Sequence, residues 1–256
     1  MRIALVAQED PFYLPPAVLA ICRARRPDFA AIVAQRSFNE KLHHTARRLH
    51  EFYGPLDFSR LVFRYARAKT LGRLSRSRPY SVKSVARMLD IPLYTPQRIN
   101  APEFLQTLAD EIRPDLILSI AASEIFKPEL LSIPPLGCIN LHSAPLPKYQ
   151  GMMPVFWTMY HGESEGCVTV HYMAEKLDAG DIILQRPVSV GPSDSLEDVM
   201  IRCKEVGVAA VLEAIDLIER GEVKPTAMDK SGASYFSFPK REHAARLRAT
   251  GRRLLR

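Results

Sequence analysis

Short apolar runs bounded by polar residues recur along this 256-residue chain, alternating with stretches whose apolar positions return every three or four residues. Residues 2–7 (RIALVA) and 29–35 (FAAIVAQ) predict buried strands. PPAVLAICRAR between them predicts a helix, with its two prolines in the first turn, where proline is tolerated. Strand, helix and strand at this spacing begin a parallel α/β sheet. The segment 41–87 is helical in pattern, with Leu49, Phe52 and Tyr53, then Leu61, Val62 and Tyr65, as its apolar faces. Further on, the pattern predicts a strand at 91–94, a helix from Pro102 that stops before Pro114, a strand at 116–120 and a short helix at 124–131. Strands at 137–142, 167–173 and 181–190 follow, the last two as a hairpin, with a helix from Pro154 to Gly162 before them. A long helix then opens at Ser195. Its apolar residues, from Leu196 and Val199 to Leu217 and Ile218, recur at threes and fours, and Gly221 ends it. The tail predicts a short strand and a basic helix.

Composition narrows the class. Apolar residues make up 47% and charged residues 25%, ordinary values for a globular domain. No apolar stretch approaches the ~20 residues of a membrane span, and the first apolar run is too short for a signal peptide. The four cysteines are scattered without a C-x-x-C pair, which argues against a disulfide framework or zinc ribbon and for a reducing, cytoplasmic setting. The net charge of +7 is concentrated in two places. Residues 41–87 hold twelve Lys or Arg against Glu51 and Asp57, and the stretch from Lys240 holds seven against Glu242. Such patches suit an anionic partner or a solvated surface.

No phosphate-cradling glycine motif is present: AQEDPFYLPP, after the first strand, has no glycine. Chemistry is expected instead at CINLHSAPLPKYQG. Asn140 and His142 are two apart on a strand and share a face. The hairpin loop EKLDAGD carries Asp178, which reaches the imidazole if the strands are neighbours. An amide donor, an imidazole and a carboxylate together can stabilise an oxyanion and move a proton. The bland alternative is a structural histidine and an ordinary turn. A metal at His142 and His171 lacks a third ligand at metal-like spacing, so no metal is expected. Cys138 is expected to be a core residue and His43–His44 to be surface residues.

The stretches NLHSAPLPKYQG, Trp157 and GCVTVHYMAEKLDAGDIILQ resemble the signature of the 10-formyltetrahydrofolate-dependent formyltransferases. Asn140, His142, Ser143, Leu146, Pro147, Gly151, Gly166, Thr169, His171, Leu177, Asp178 and Gly180 carry the resemblance, which is dense from about Leu116 to Val190. It implies an α/β fold, a Rossmann-like and mostly parallel sheet, as a catalytic domain over 1–190. A helical C-terminal extension over 191–256 is then packed on the same body. It also implies that a primary amine attacks the formyl carbon of 10-formyltetrahydrofolate. Asn140 and protonated His142 then stabilise the oxyanion, and Asp178 supports His142. The pterin would be held by main-chain groups of Ser123, Glu124 and Phe126, and of Met173, Ala174, Glu175 and Leu177 in the loop before the aspartate.

The resemblance leaves the acceptor open among several amines. The phosphate loop of the glycinamide ribonucleotide enzymes is missing, residues 222–256 are too few for the C-terminal barrel of the methionyl-tRNA enzymes, and the hydrolases carry an upstream regulatory domain. Gln150 stands where the family usually has Arg. The expected partner is therefore a small anionic amine, a nucleotide-linked amino sugar, with no membrane or nucleic acid, and with room for a homodimer. The alternatives are a methionyl-tRNA formyltransferase-like activity, or a non-catalytic folate- or nucleic-acid-binding protein on the same fold.

Overall fold

A computed structural model describes residues 1–74 and 79–256 of the chain; residues 75–78 of the basic insert lie outside the described residues. β1 (Ile3–Gln8) and β2 (Phe29–Gln35) are joined by α1 (Leu14–Ala24), as the apolar runs predict. α2 (Leu42–Leu74), α3 (Val82–Met88), β3 (Leu93–Tyr94) and α4 (Pro102–Thr107, continued by a π turn to Ile112) lead to β4 (Leu116–Ile120). α5 (Pro128–Leu131), β5 (Cys138–His142), β6 (Gln150–Gly151) and α6 (Pro154–Tyr160) precede the hairpin of β7 (Glu165–Tyr172) and β8 (Ile182–Ser189). α7 (Leu196–Glu219), β9 (Tyr235–Phe236) and α8 (Arg241–Ala249) complete the fold.

The seven-stranded sheet runs β3-β2-β1-β4-β5-β7-β8, parallel through β5 and antiparallel at β7 and β8. Both faces are covered, so β1 is apolar throughout: Ile3, Leu5 and Ala7 enter the core under α1 and α7, while Ala4 and Val6 enter the core under α4. α7 packs on α1, β7 and β8, and Val199, Cys203, Ala210 and Val211 lie in the same core as the sheet. Among the described residues no helix is long and apolar enough to cross a membrane.

Three expectations change. The strand expected over 91–94 is confined to Leu93–Tyr94. The helix expected over 124–131 starts only at Pro128. Side chains supply the partners that helical carbonyls would otherwise give: the Asn100 amide bonds Ile125 O and accepts from Lys127 N–H, and Glu124 accepts from Ile99 N–H. In α2, Phe52, Tyr53 and Leu61 are buried, but Val62 and Tyr65 are exposed. Gly54 at φ 73° and Pro55 break that helix, so its two halves do not share one apolar stripe. α2 also packs on α8, with the Arg248 guanidinium on Tyr53 O at 2.6 Å and Asp57 at 3.2 Å, bringing the two basic segments together.

Candidate active site

β5 lies inside the sheet and ends at its carboxyl edge, where the chain must leave the ladder and ligands of open α/β sheets bind. Its register against β7 sets Asn140 opposite His171 and His142 opposite Thr169. Thr169 then holds the exit loop, with its hydroxyl donating to Ala144 O at 2.7 Å, and Gln185 Nε2 donates to Leu146 O at 3.0 Å.

The aspartate arrives from the loop after β7. Gly180 permits this, because a Cβ there would stand 2.1 Å from the Tyr172 carbonyl oxygen. Asp178 itself adopts φ 50°, a left-handed conformation in which Asp is among the better tolerated residues. Its carboxylate is buried and accepts the Gly151 N–H at 2.9 Å, while Gln150 Nε2 donates to its main-chain oxygen at 2.9 Å. Gln150 therefore ties down the aspartate loop.

Asn140, His142 and Asp178 come together, with His171 as a fourth member. His171 Nδ1 lies 2.7 Å from Tyr172 O, an acceptor only, so that nitrogen carries the hydrogen. Burial lowers the His171 pKa to about 4, against the opposing pull of Asp178, so the ring is neutral near pH 7. Its bare Nε2 accepts from the Asn140 amide at 3.2 Å. This fixes which way the Asn140 amide faces and leaves its second N–H without a protein partner among the described residues.

His142 is held differently. Its Nε2 donates to Tyr149 O at 2.9 Å, so the carbonyl, rather than Asp178, sets the tautomer. Its Nδ1 faces Asp178 Oδ2 at 3.6 Å, and His171 Nε2 stands 3.7 Å from Asp178 Oδ1. A neutral His142 turns a lone pair toward the carboxylate, whereas an imidazolium turns an N–H toward it. The His142–Asp178 edge is thus a seat for one proton, with an amide donor beside it. No group of three metal-binding side chains is found among the described residues. Burial pushes the Cys138 thiol up to about 12, as fits a core residue, and His43 and His44 are exposed.

The two loops expected around the pterin each reach the same core. Ala122 and Met173 both pack against the core that holds Phe126. Gln35, only 3% exposed, accepts from Ser123 N–H at 3.0 Å and donates to Glu124 at 3.2 Å, clamping the first loop. Ala174, Glu175 and Leu177 are exposed on the second. The Phe126 ring is 1% exposed and faces the core, so that residue offers only main chain. The Ser123 hydroxyl is buried with no partner among the described residues, and a polar ligand between the loops would satisfy it.

His171, the Tyr149 carbonyl and the Gly151 N–H were missed as parts of the site. His171 lies on a predicted strand, and the β5–β7 register would have found it.

A formyl transferase family model matches residues 32–215. A methionyl-tRNA formyltransferase of Trichlorobacter lovleyi is 33% identical over 172 residues, 67% of this chain and 54% of that protein. The chain spans about half the length of the curated relatives it matches. The fold is also that of the phosphoribosylglycinamide formyltransferase of Anaplasma phagocytophilum, with TM-score 0.64 at 15% identity over 93% of this chain and 99% of that one. The formyltransferase PseJ of Anoxybacillus kamchatkensis was solved with UDP-4,6-dideoxy-4-formamido-L-AltNAc and tetrahydrofolate. It is 25% identical, with TM-score 0.50, over 58% of this chain and 75% of its own.

Proposed function

We propose, for a chain that belongs to the formyl transferase family, that it transfers a formyl group to the primary amine of a small anionic acceptor, a nucleotide-linked amino sugar. The reading is carried by one observation: Asn140, His142 and Asp178 meet at the carboxyl end of β5. When bound, 10-formyltetrahydrofolate supplies the formyl carbon. Ser123, Glu124 and Phe126, with Met173, Ala174, Glu175 and Leu177, would hold its pterin, and the orphaned Ser123 hydroxyl fits such a polar ring. The chain's own groups do the rest. Asn140, aimed by His171, donates its free N–H to an oxygen that gains negative charge. His142 holds a proton at Nδ1, and Asp178 stabilises the resulting cation. One such donor is typically worth about 3 kcal/mol of barrier.

The acceptor argument uses the loop after β1. Glu9 accepts from Val82 and Lys83 N–H at the start of α3, and Asp10 from Phe12 and Tyr13 N–H before α1. Internal carboxylates occupy donors that a phosphate loop would offer to substrate, which argues against a small ribonucleotide gripped there. PseJ, with its bound UDP-sugar, supports a sugar nucleotide. The relatives named as methionyl-tRNA formyltransferases support a second reading, charged initiator tRNA.

Formyl transfer to a panel of amino-sugar nucleotides and to charged initiator tRNA, each at low and moderate salt, separates the two. We expect a mass gain of one formyl on a sugar nucleotide, with only a modest salt effect. Binding through many tRNA phosphates would fall steeply with salt. Efficient tRNA formylation with inert sugars overturns the sugar assignment.

A further inference from the structure

Beside the catalytic loop is an aromatic cavity of about 460 Å³ to which no role has yet been given, lined by Trp157, His161, Tyr235, Phe236, Lys240 and His243 among others. Its size falls in the range of small-ligand sites. Trp157, 5% exposed, forms the floor, with the Phe236 ring stacked on it at 4.6 Å. The His243 ring meets the indole in a T-shaped arrangement, ring centroids 4.9 Å apart. Tyr235 is 61% exposed, a large aromatic surface left open to the cavity mouth. Two cations border the cavity: Lys240, which lines it and is exposed, and Arg246, whose guanidinium lies over the ring of the lining residue Tyr160 at 5.3 Å. Of the nearby acids, Glu163 accepts from the Tyr149 hydroxyl and Glu242 stands 3.9 Å from His243.

The cavity is coupled to the site by a ribbon two residues long. β9 pairs with β6, Gln150 with Tyr235 and Gly151 with Phe236. The same Gln150 and Gly151 hold Asp178. A Cβ on Gly151 would stand 2.3 Å from Phe236 O, so only glycine lets the two strands meet so closely.

Exposed rings with a cationic rim are what a base carrying phosphates requires: the ring faces stack the base and the cations meet the phosphates. We propose that this cavity binds a nucleotide, with its base against Tyr235 and its phosphates toward Lys240. This deepens the sugar-nucleotide reading by giving the nucleotide half of the acceptor a seat beside Asp178, and only the identity of that acceptor rests on that reading.

Trp157 is the chain's single tryptophan, so its fluorescence reports the cavity directly. The assay titrates UDP, dTDP, a short single-stranded oligonucleotide and inorganic pyrophosphate, with neither folate nor amine present. Saturable quenching by UDP or dTDP is expected. Tyr235→Ala should weaken it about tenfold, and Lys240→Gln should weaken it several-fold, both with an unchanged melting temperature. Quenching by the oligonucleotide alone, lost in Tyr235→Ala, supports the base site and assigns its source to a nucleic-acid end. No saturable quenching by any nucleotide, quenching indifferent to Tyr235→Ala, or equal quenching by pyrophosphate overturns the proposal. Because no formyl transfer is measured, such failure leaves the reaction standing.

Discussion

Replacing Asp178 by Asn removes one negative charge and very little else. The φ of 50° suits Asn, which tolerates the left-handed region, and the Asn oxygen can still accept the Gly151 N–H. What disappears is the charge facing His142 Nδ1 at 3.6 Å, where both side chains are less than a tenth exposed. With an effective dielectric constant near 20, a unit charge pair at that distance is worth about 4–5 kcal/mol, an upper estimate for the stabilisation of protonated His142. Each 1.4 kcal/mol is tenfold, so turnover should fall by about three to three and a half orders of magnitude at most, and by about thirty- to sixtyfold if half of this is realised. The measurement is kcat on a confirmed acceptor, with a melting curve beside it. An unchanged melting temperature with turnover lowered at least about thirtyfold supports the proton seat. Turnover within a few-fold of wild type refutes it, because His142 would then need no counter-charge.

Two further predictions use the same geometry. His171 has a folded-state pKa of about 4 against an ordinary 6.5, so the unfolded chain takes up the proton first. Its contribution is complete above pH 6.5 and is lost as pH falls toward 4, by about 3 kcal/mol in all. His171→Gln should remove that slope from the pH dependence of urea unfolding, and an unaltered slope would show that another group causes it. A non-hydrolysable folate analogue at a hundred times its Kd should stabilise the fold by about 2.7 kcal/mol, read as a rise in melting temperature. Ser123→Ala should shrink the rise, since its buried hydroxyl has no other partner among the described residues; a full rise in that variant would move the pterin elsewhere.

The strands were legible because both faces of this sheet are covered. Apolar runs such as IALVA and LILSI have no other stable place to go, and β4 falls over 116–120, where its pattern put it. The loop at 121–127 was not legible, because side chains 20 to 90 residues away in sequence decide it. Gln35 and Asn100 capture its polar groups, and neither partnership leaves a local pattern. The exposure of Val62 and Tyr65 was hidden for a related reason. Periodicity shows that a helix has an apolar face, but the Gly54 break resets the phase.

In the candidate site, residue types were legible and their partners were not. Strand alternation put Asn140 and His142 on one face, and that held because β5 is a regular strand between two partners. The function of each depends on a second residue brought by the antiparallel turn of the sheet. Opposite Asn140 the register places a histidine that burial keeps neutral, so it can only accept from the amide once its other nitrogen is bound to Tyr172 O. A charged ring in that place would offer a second N–H and turn the Asn140 oxygen, not its amide, toward itself. Asp178 faces both imidazoles at nearly equal distance, yet deeper burial denies the proton to His171. His142, whose Nε2 is already committed to the Tyr149 carbonyl, turns its Nδ1 to the same carboxylate. One carboxylate thereby faces a neutral histidine that aims a donor and a second histidine whose Nδ1 is open to it. Exchanging their surroundings, rather than their identities, would be enough to lose the chemistry.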